Sequence, residues 1–135
     1  MQNNEQESWF NSAKEGDLKS LQQTLESGFE INSTDQNGNS ALHYASQGAH
    51  LDVMRFLIEH GADLNLQNSR LSTPLHLTAK NIDAIRILLE AGADPNIQDA
   101  DWCYPYYFAF YGSMTRELSE LYIKHGAKIQ YIDKM

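Results

Sequence analysis

The side chains of this 135-residue chain that could do chemistry are five histidines, one cysteine and a spread of carboxylates. Their spacing decides what that chemistry would be. A zinc ion takes imidazole nitrogens at about 2.0–2.1 Å, so its ligands must converge. His43 and His76 occupy matched contexts, Leu42-His43 and Leu75-His76, while His60 and His125 each directly precede a glycine. Residues that recur one long interval apart are placed apart in space, and no metal set follows from them. Cys103 has no nucleophile motif around it, and neither a phosphate-cradling glycine loop nor a nucleophile elbow is present. The carboxylates lie in polar runs rather than paired in apolar settings. The expectation is no catalytic residue, no cofactor and no metal: a protein that is not an enzyme.

Composition narrows the remaining classes. Hydrophobic residues make up 41% and charged residues 21%, too apolar for a disordered chain. The formal charge of −8 disfavours nucleic acid and anionic membranes as partners and favours a protein with a basic surface. A single cysteine needs no oxidising compartment. The N-terminal run from Met1 to Glu7 is polar and acidic, unlike a targeting peptide. Trp102 to Thr115, the longest strongly apolar uncharged stretch, is too short to span a bilayer, and the sequon Asn32-Ser33-Thr34 has no use without secretion. These features predict a soluble cytoplasmic protein, monomeric when free.

The elements that must position any site are set by an internal repeat. Glu59-His60-Gly61-Ala62-Asp63-Leu64-Asn65, Glu90-Ala91-Gly92-Ala93-Asp94-Pro95-Asn96 and Lys124-His125-Gly126-Ala127 align, with a degenerate copy at Glu26-Ser27-Gly28. Their glycines are spaced by 33, 31 and 34 residues. A second block starts 12 residues after each of the first three: Ser40-Ala41-Leu42-His43, Thr73-Pro74-Leu75-His76 and Tyr104-Pro105-Tyr106-Tyr107. Thr73 before Pro74 suits a helix start. The apolar spacing of Leu51, Met54, Leu57, Ile58 and of Ile82, Ile85, Leu88, Leu89 suits a second helix, which Gly61, Gly92 and Gly126 then stop. With its T-P-L-H block, apolar second helix and G-A-D-x-N turn in fixed order, the chain resembles the ankyrin repeat family over residues 7–131. That resemblance implies an all-α solenoid in which stacked helix pairs bury one continuous core, with histidines such as His43 and His76 used for structural hydrogen bonds. The expected organisation is a single domain over 1–135, with an N-terminal capping repeat at 1–34, repeats at 35–67 and 68–98, and a divergent C-terminal repeat at 99–135. Polar Asn11 and Gln23 stand where other repeats carry Tyr44/Leu77 and Phe56/Ile87, as suits an end cap.

Departures from the pattern mark what is individual. The third repeat lacks two residues between its helices, so its turn must be tighter. The hairpin glycine Gly38 is replaced by Leu71 and Trp102, which requires either a different turn geometry or outward presentation of the two side chains. Half of the chain's aromatics crowd into residues 102–111, either closing the end of the core, as Tyr106 and Phe108 suggest, or forming a binding surface. Residues 1–67 hold −7 of the net charge, either as solvated helix faces or as a field that steers a basic partner.

Family resemblance implies that the chain binds a partner protein through its concave face, lined by hairpin tips and inner-helix ends. Mapped onto this sequence, it comprises Gln36, Asn37 and Asn39, then Ser69, Arg70 and Ser72, then Asp101, Trp102 and Cys103, with Gln47, Lys80 and Tyr111 from the helix ends. Two binding roles fit, a general interaction module or a dedicated inhibitor resembling the small bacterial immunity-type proteins that neutralise a cognate toxin; the alternative from another class is a structural oligomer that self-associates through its aromatic C-terminal end.

Overall fold

In the computed structural model of the chain, residues 3–110 and 115–129 are described. The α-helices are α1 (Asn3–Glu15), α2 (Leu18–Glu26), α3 (Ala41–Gln47), α4 (Leu51–Glu59), α5 (Ile82–Ala91), α6 (Pro105–Phe110) and α7 (Arg116–Lys124), and a short 3-10 helix covers Pro74–Thr78. Strand is absent from the described residues. These elements form four successive pairs in two rows. The inner row runs α1, α3, the 3-10 helix, α6, and the outer row α2, α4, α5, α7, each element packing on the next in its row.

The core lies between the rows, where the apolar spacing predicts it. Leu42, Met54, Leu57, Leu75, Ile85 and Leu88 are fully buried or nearly so. Trp9 takes in the first pair the buried place that Leu42 and Leu75 hold in the next two, and packs against Phe29 at 5.1 Å. Asn11 and Gln23 face solvent, while Tyr44, Leu77, Phe56 and Ile87 are half-buried. Helix ends follow local chemistry. Asp17, Asn81 and Thr115 cap α2, α5 and α7 by accepting the N–H of Ser20, Ala84 and Leu118. Gly61, Gly92 and Gly126 take the left-handed conformation that ends each outer helix, at φ 95°, 109° and 96°.

The shortened third repeat is where regular helix gives way. Its first helix shrinks to five residues of 3-10 helix, and Ala79 takes φ 51° to turn the chain into α5. Asn81 recovers the start of that helix by capping it.

Two structural ladders fix the loops between pairs. Asn32, Asn65 and Asn96 each accept, through the side-chain oxygen, a backbone N–H from the following repeat: Asp63 (2.8 Å), Asp94 (2.8 Å) and Lys128 (2.9 Å). The histidines form the second ladder. Nδ1 of His43 accepts the N–H of Ser40 (3.1 Å), and Nδ1 of His76 accepts that of Thr73 (2.9 Å). With Nδ1 so occupied, the proton sits on Nε2, which donates across the repeat boundary to the carbonyls of Ser72 and Cys103, both at 2.9 Å. Burial holds both imidazoles below the usual histidine range, although the facing carbonyls pull the other way. The first repeat has Phe10 in place of this histidine and packs it against Tyr44 edge-on at 6.1 Å.

Candidate partner-binding surface

Three hairpin tips project beside the inner row, and each is built the same way. Oδ1 of Asp35, Asn68 or Asp99 accepts two backbone N–H groups, two and four residues on, at 2.9 and 3.0 Å in every case. The residue three after it also donates its N–H back to that residue's carbonyl. Successive tips are then tied together: Ser69 N–H donates to the Asn37 carbonyl (3.0 Å) and Ala100 N–H to that of Arg70 (2.9 Å). The tips therefore form one continuous edge held by backbone bonds.

The alternative of a reshaped turn at Leu71 and Trp102 is corrected by this geometry. All three tips keep one turn, with φ of 77° at Gly38, 60° at Leu71 and 67° at Trp102. Leu71 and Trp102 thus occupy a left-handed conformation that costs an L residue roughly 1–2 kcal/mol. A glutamine four residues earlier clamps each one: Gln67 Nε2 donates to the Leu71 carbonyl (3.0 Å) and Gln98 Nε2 to that of Trp102 (2.9 Å). Their side chains point outward, Leu71 48% and Trp102 79% exposed.

The remaining candidate residues divide by what they are already doing. Gln36, Asn37, Gln47, Ser69, Arg70, Lys80 and Asp101 are exposed. Asn39 and Ser72 are half-buried and committed to the fold, Asn39 through Tyr44 and Asn68 (3.3 and 2.7 Å) and Ser72 through Asn68 and His43. Arg70 and Asp101 approach to 3.9 Å on neighbouring tips, an exposed and weak ion pair that leaves the tip edge locally neutral. The Cys103 thiol is pushed up by burial and by Asp99 and Asp101, which keeps it protonated. Tyr111 lies outside the described residues, as does the side chain of Phe108.

The aromatic segment serves two ends. Tyr104 and Tyr106 stack at 5.2 Å and 8°, and Tyr106 meets the buried Tyr122 of α7 edge-on at 5.7 Å. These rings close the core, whereas Trp102 and Tyr107 stand out from it.

At the other end of the tip edge, a groove of about 650 Å³ opens between α1 and the first tip, lined by Glu7, Phe10, Lys14, Asp35 and Gln36 among others. The Tyr44 hydroxyl donates to the Asp35 carboxylate, and Lys14 Nζ sits 4.8 Å over the Tyr44 ring. Among the described residues no cluster of three or more His, Cys, Asp or Glu could hold a metal ion, and no helix is long and apolar enough to cross a membrane.

Comparison with known proteins agrees with this architecture. The profile of the family described as ankyrin repeats (3 copies) matches residues 9–99. Among similar proteins, Ankyrin repeat domain-containing protein 40 of Mus musculus is 32% identical over 80 residues, 58% of this chain and 22% of that protein. Palmitoyltransferase akr1 of Schizosaccharomyces pombe is 37% identical over 59 residues, 43% of this chain and 9% of its own. Acyl-CoA-binding domain-containing protein 2 of Arabidopsis thaliana is 36% identical over 51 residues, 38% of this chain and 14% of its own. The chain thus spans less than a quarter of the length of these relatives.

Proposed function

Because the chain belongs to the ankyrin repeat family, whose repeats generally mediate protein–protein interaction, we propose that it is a non-enzymatic module that holds a partner protein against its hairpin-tip edge. We take residues 1–135 as one such domain. The observation that carries the reading is the pair Leu71 and Trp102, two large apolar side chains exposed in a backbone conformation that glycine would adopt at lower cost. Strain kept at a surface position is a pointer to function, and large aromatic and arginine side chains dominate binding hot spots. Arg70, Leu71, Asp101 and Trp102 form the centre of the contact, Gln36, Asn37, Ser69, Gln47 and Lys80 extend it, and the turn-bound Asn39 and Ser72 frame it. Tyr111 belongs to the same proposal by its place in the repeat.

The excess of negative charge in residues 1–67 supports a partner with a basic surface, which that half would steer toward the tips. The same charge is what favours a second reading, a dedicated inhibitor that neutralises a toxin by covering it. A comparative binding experiment tests the shared core of both. Immobilised wild-type protein is expected to retain a discrete partner from its native cell that the Arg70→Ala/Trp102→Ala variant releases, with both proteins melting alike. Equal retention by the two would overturn the tip assignment. If the retained protein is toxic when expressed alone and harmless with this chain, the inhibitor reading is the one to keep.

A further inference from the structure

A second surface lies on the outer row, away from the tips. Between α2 and α4 runs a groove of about 600 Å³ lined by Gln22, Leu25, Glu26, Phe56, Glu59 and His60. Its floor is apolar, with Leu25 and Phe56 half-buried, and its rim is acidic, with Glu26 and Glu59 exposed. The His60 ring lies 4.3 Å from that of Phe56. It is pinned there by an Nδ1–H bond to the Phe56 carbonyl at 2.9 Å, which leaves Nε2 as the ring nitrogen not used in that bond. Among the described residues neither Glu26 nor Glu59 joins an ion pair.

The chain itself shows what complements such a boundary. Between α5 and α7, Arg86 bonds Asp83 and reaches across to Glu117, both at 3.4 Å. Arg86 stands six residues before Gly92; the residue six before Gly28 in α2 is the neutral Gln22. The carboxylates that Arg86 meets stand nine residues before their glycines, whereas Glu26 and Glu59 stand two before theirs, so the α5–α7 boundary carries its own guanidinium at a different height, and the α2–α4 groove has two carboxylates and the Phe56 ring but no Lys or Arg in its lining. A planar guanidinium matches that set: it stacks on an aromatic face while its fork of N–H groups meets carboxylates. A lysine ammonium could use the charge but not the floor.

We infer that the α2–α4 groove is a docking site for an arginine side chain of a basic partner protein, separate from the tip edge and independent of it. Complementary charge commits the occupant, since residues 1–67 carry most of the net −8. The test is a titration of the full chain with capped hexa-arginine and hexa-lysine peptides, followed residue by residue through amide chemical shifts. The expected shifts concentrate on residues 22–28 and 56–62, with hexa-arginine binding at least threefold tighter than hexa-lysine. Glu26→Gln/Glu59→Gln should weaken hexa-arginine at least tenfold, while Glu15→Gln/Glu30→Gln, an equal loss of charge from the same half, changes it less than twofold. Phe56→Leu should erase the preference for arginine over lysine. Equal weakening by the two glutamine pairs, equal affinity for the two peptides, or shifts spread over every acidic face would overturn the site. None of these outcomes depends on Leu71 or Trp102, so the tip proposal stands or falls separately.

Discussion

Replacing Trp102 by glycine separates the two costs that the tip edge combines. The ring is 79% exposed, so its removal gives up little buried area. The backbone at φ 67° releases roughly 1–2 kcal/mol of left-handed strain when the Cβ is removed. Glycine's extra freedom in the unfolded chain takes back about 0.5–1 kcal/mol. The balance is a gain of about 0.5–1 kcal/mol, or about 2–4 °C in Tm for a domain of this size. Trp102→Ala keeps the strain and removes the ring, so its Tm should stay close to wild type. Both variants should lose about 2 kcal/mol or more of partner affinity, close to thirtyfold in Kd. Scanning calorimetry measures the first quantity and titration against the retained partner the second. A Tm several degrees lower in both variants, with affinity intact, would show instead that the ring packs within the C-terminal repeat.

Other expectations follow from the same geometry. Gly38→Ala should destabilise by about 2 kcal/mol or more, because φ is 77° and the added Cβ would lie 2.9 Å from the Ser69 nitrogen; chemical denaturation measures it. Leu57→Ala and Leu88→Ala, each removing a fully buried side chain, should cost roughly 2–5 kcal/mol, and a Tm equal to wild type would place the buried face elsewhere. His43 and His76 have depressed folded values, so their contribution to stability is fully present above the unfolded pKa of about 6.5. It is lost as pH falls toward and through the folded values, at up to about 1.4 kcal/mol per unit for each ring. Urea midpoints unchanged between pH 7 and 5 would contradict the neutral Nε2–H assignment. Partner association should slow with added salt while dissociation changes less; an association rate indifferent to salt would remove the steering role of the acidic half.

The repeat was legible in the sequence because each pair reuses the same devices: the Thr73–His76 start, the Leu57 and Leu88 stripe, and the glycine stop. The asymmetry of the aromatic segment was only half legible. Tyr106 and Trp102 are both large aromatics in one short run, and composition does not say that one meets Tyr122 while the other faces solvent. The left-handed turn at Leu71 and Trp102 ran against residue preference, because the tip is held by Asn68 and Asp99 and by glutamines four residues earlier. The pairs Gln67/Leu71 and Gln98/Trp102, beside Thr34/Gly38, were the available signal. The α2–α4 groove was hidden because helical periodicity assigns Phe56 to the core, and only packing shows that its ring is half open beside His60. Glutamate recurring two residues before the glycine at Glu26, Glu59 and Glu90 was the trace it left in the sequence.

The most direct measurement is site-specific photo-crosslinking in the native cell, with a photoreactive residue placed in turn at 70, 102 and 120. Positions 70 and 102 lie on the tip edge, and Glu120 lies exposed on α7. The expected result is one discrete protein adduct from 70 and 102 and none from 120. Adducts from 120 alone, or the same adducts from all three positions, would contradict the assignment of the hairpin-tip edge as the partner-binding surface.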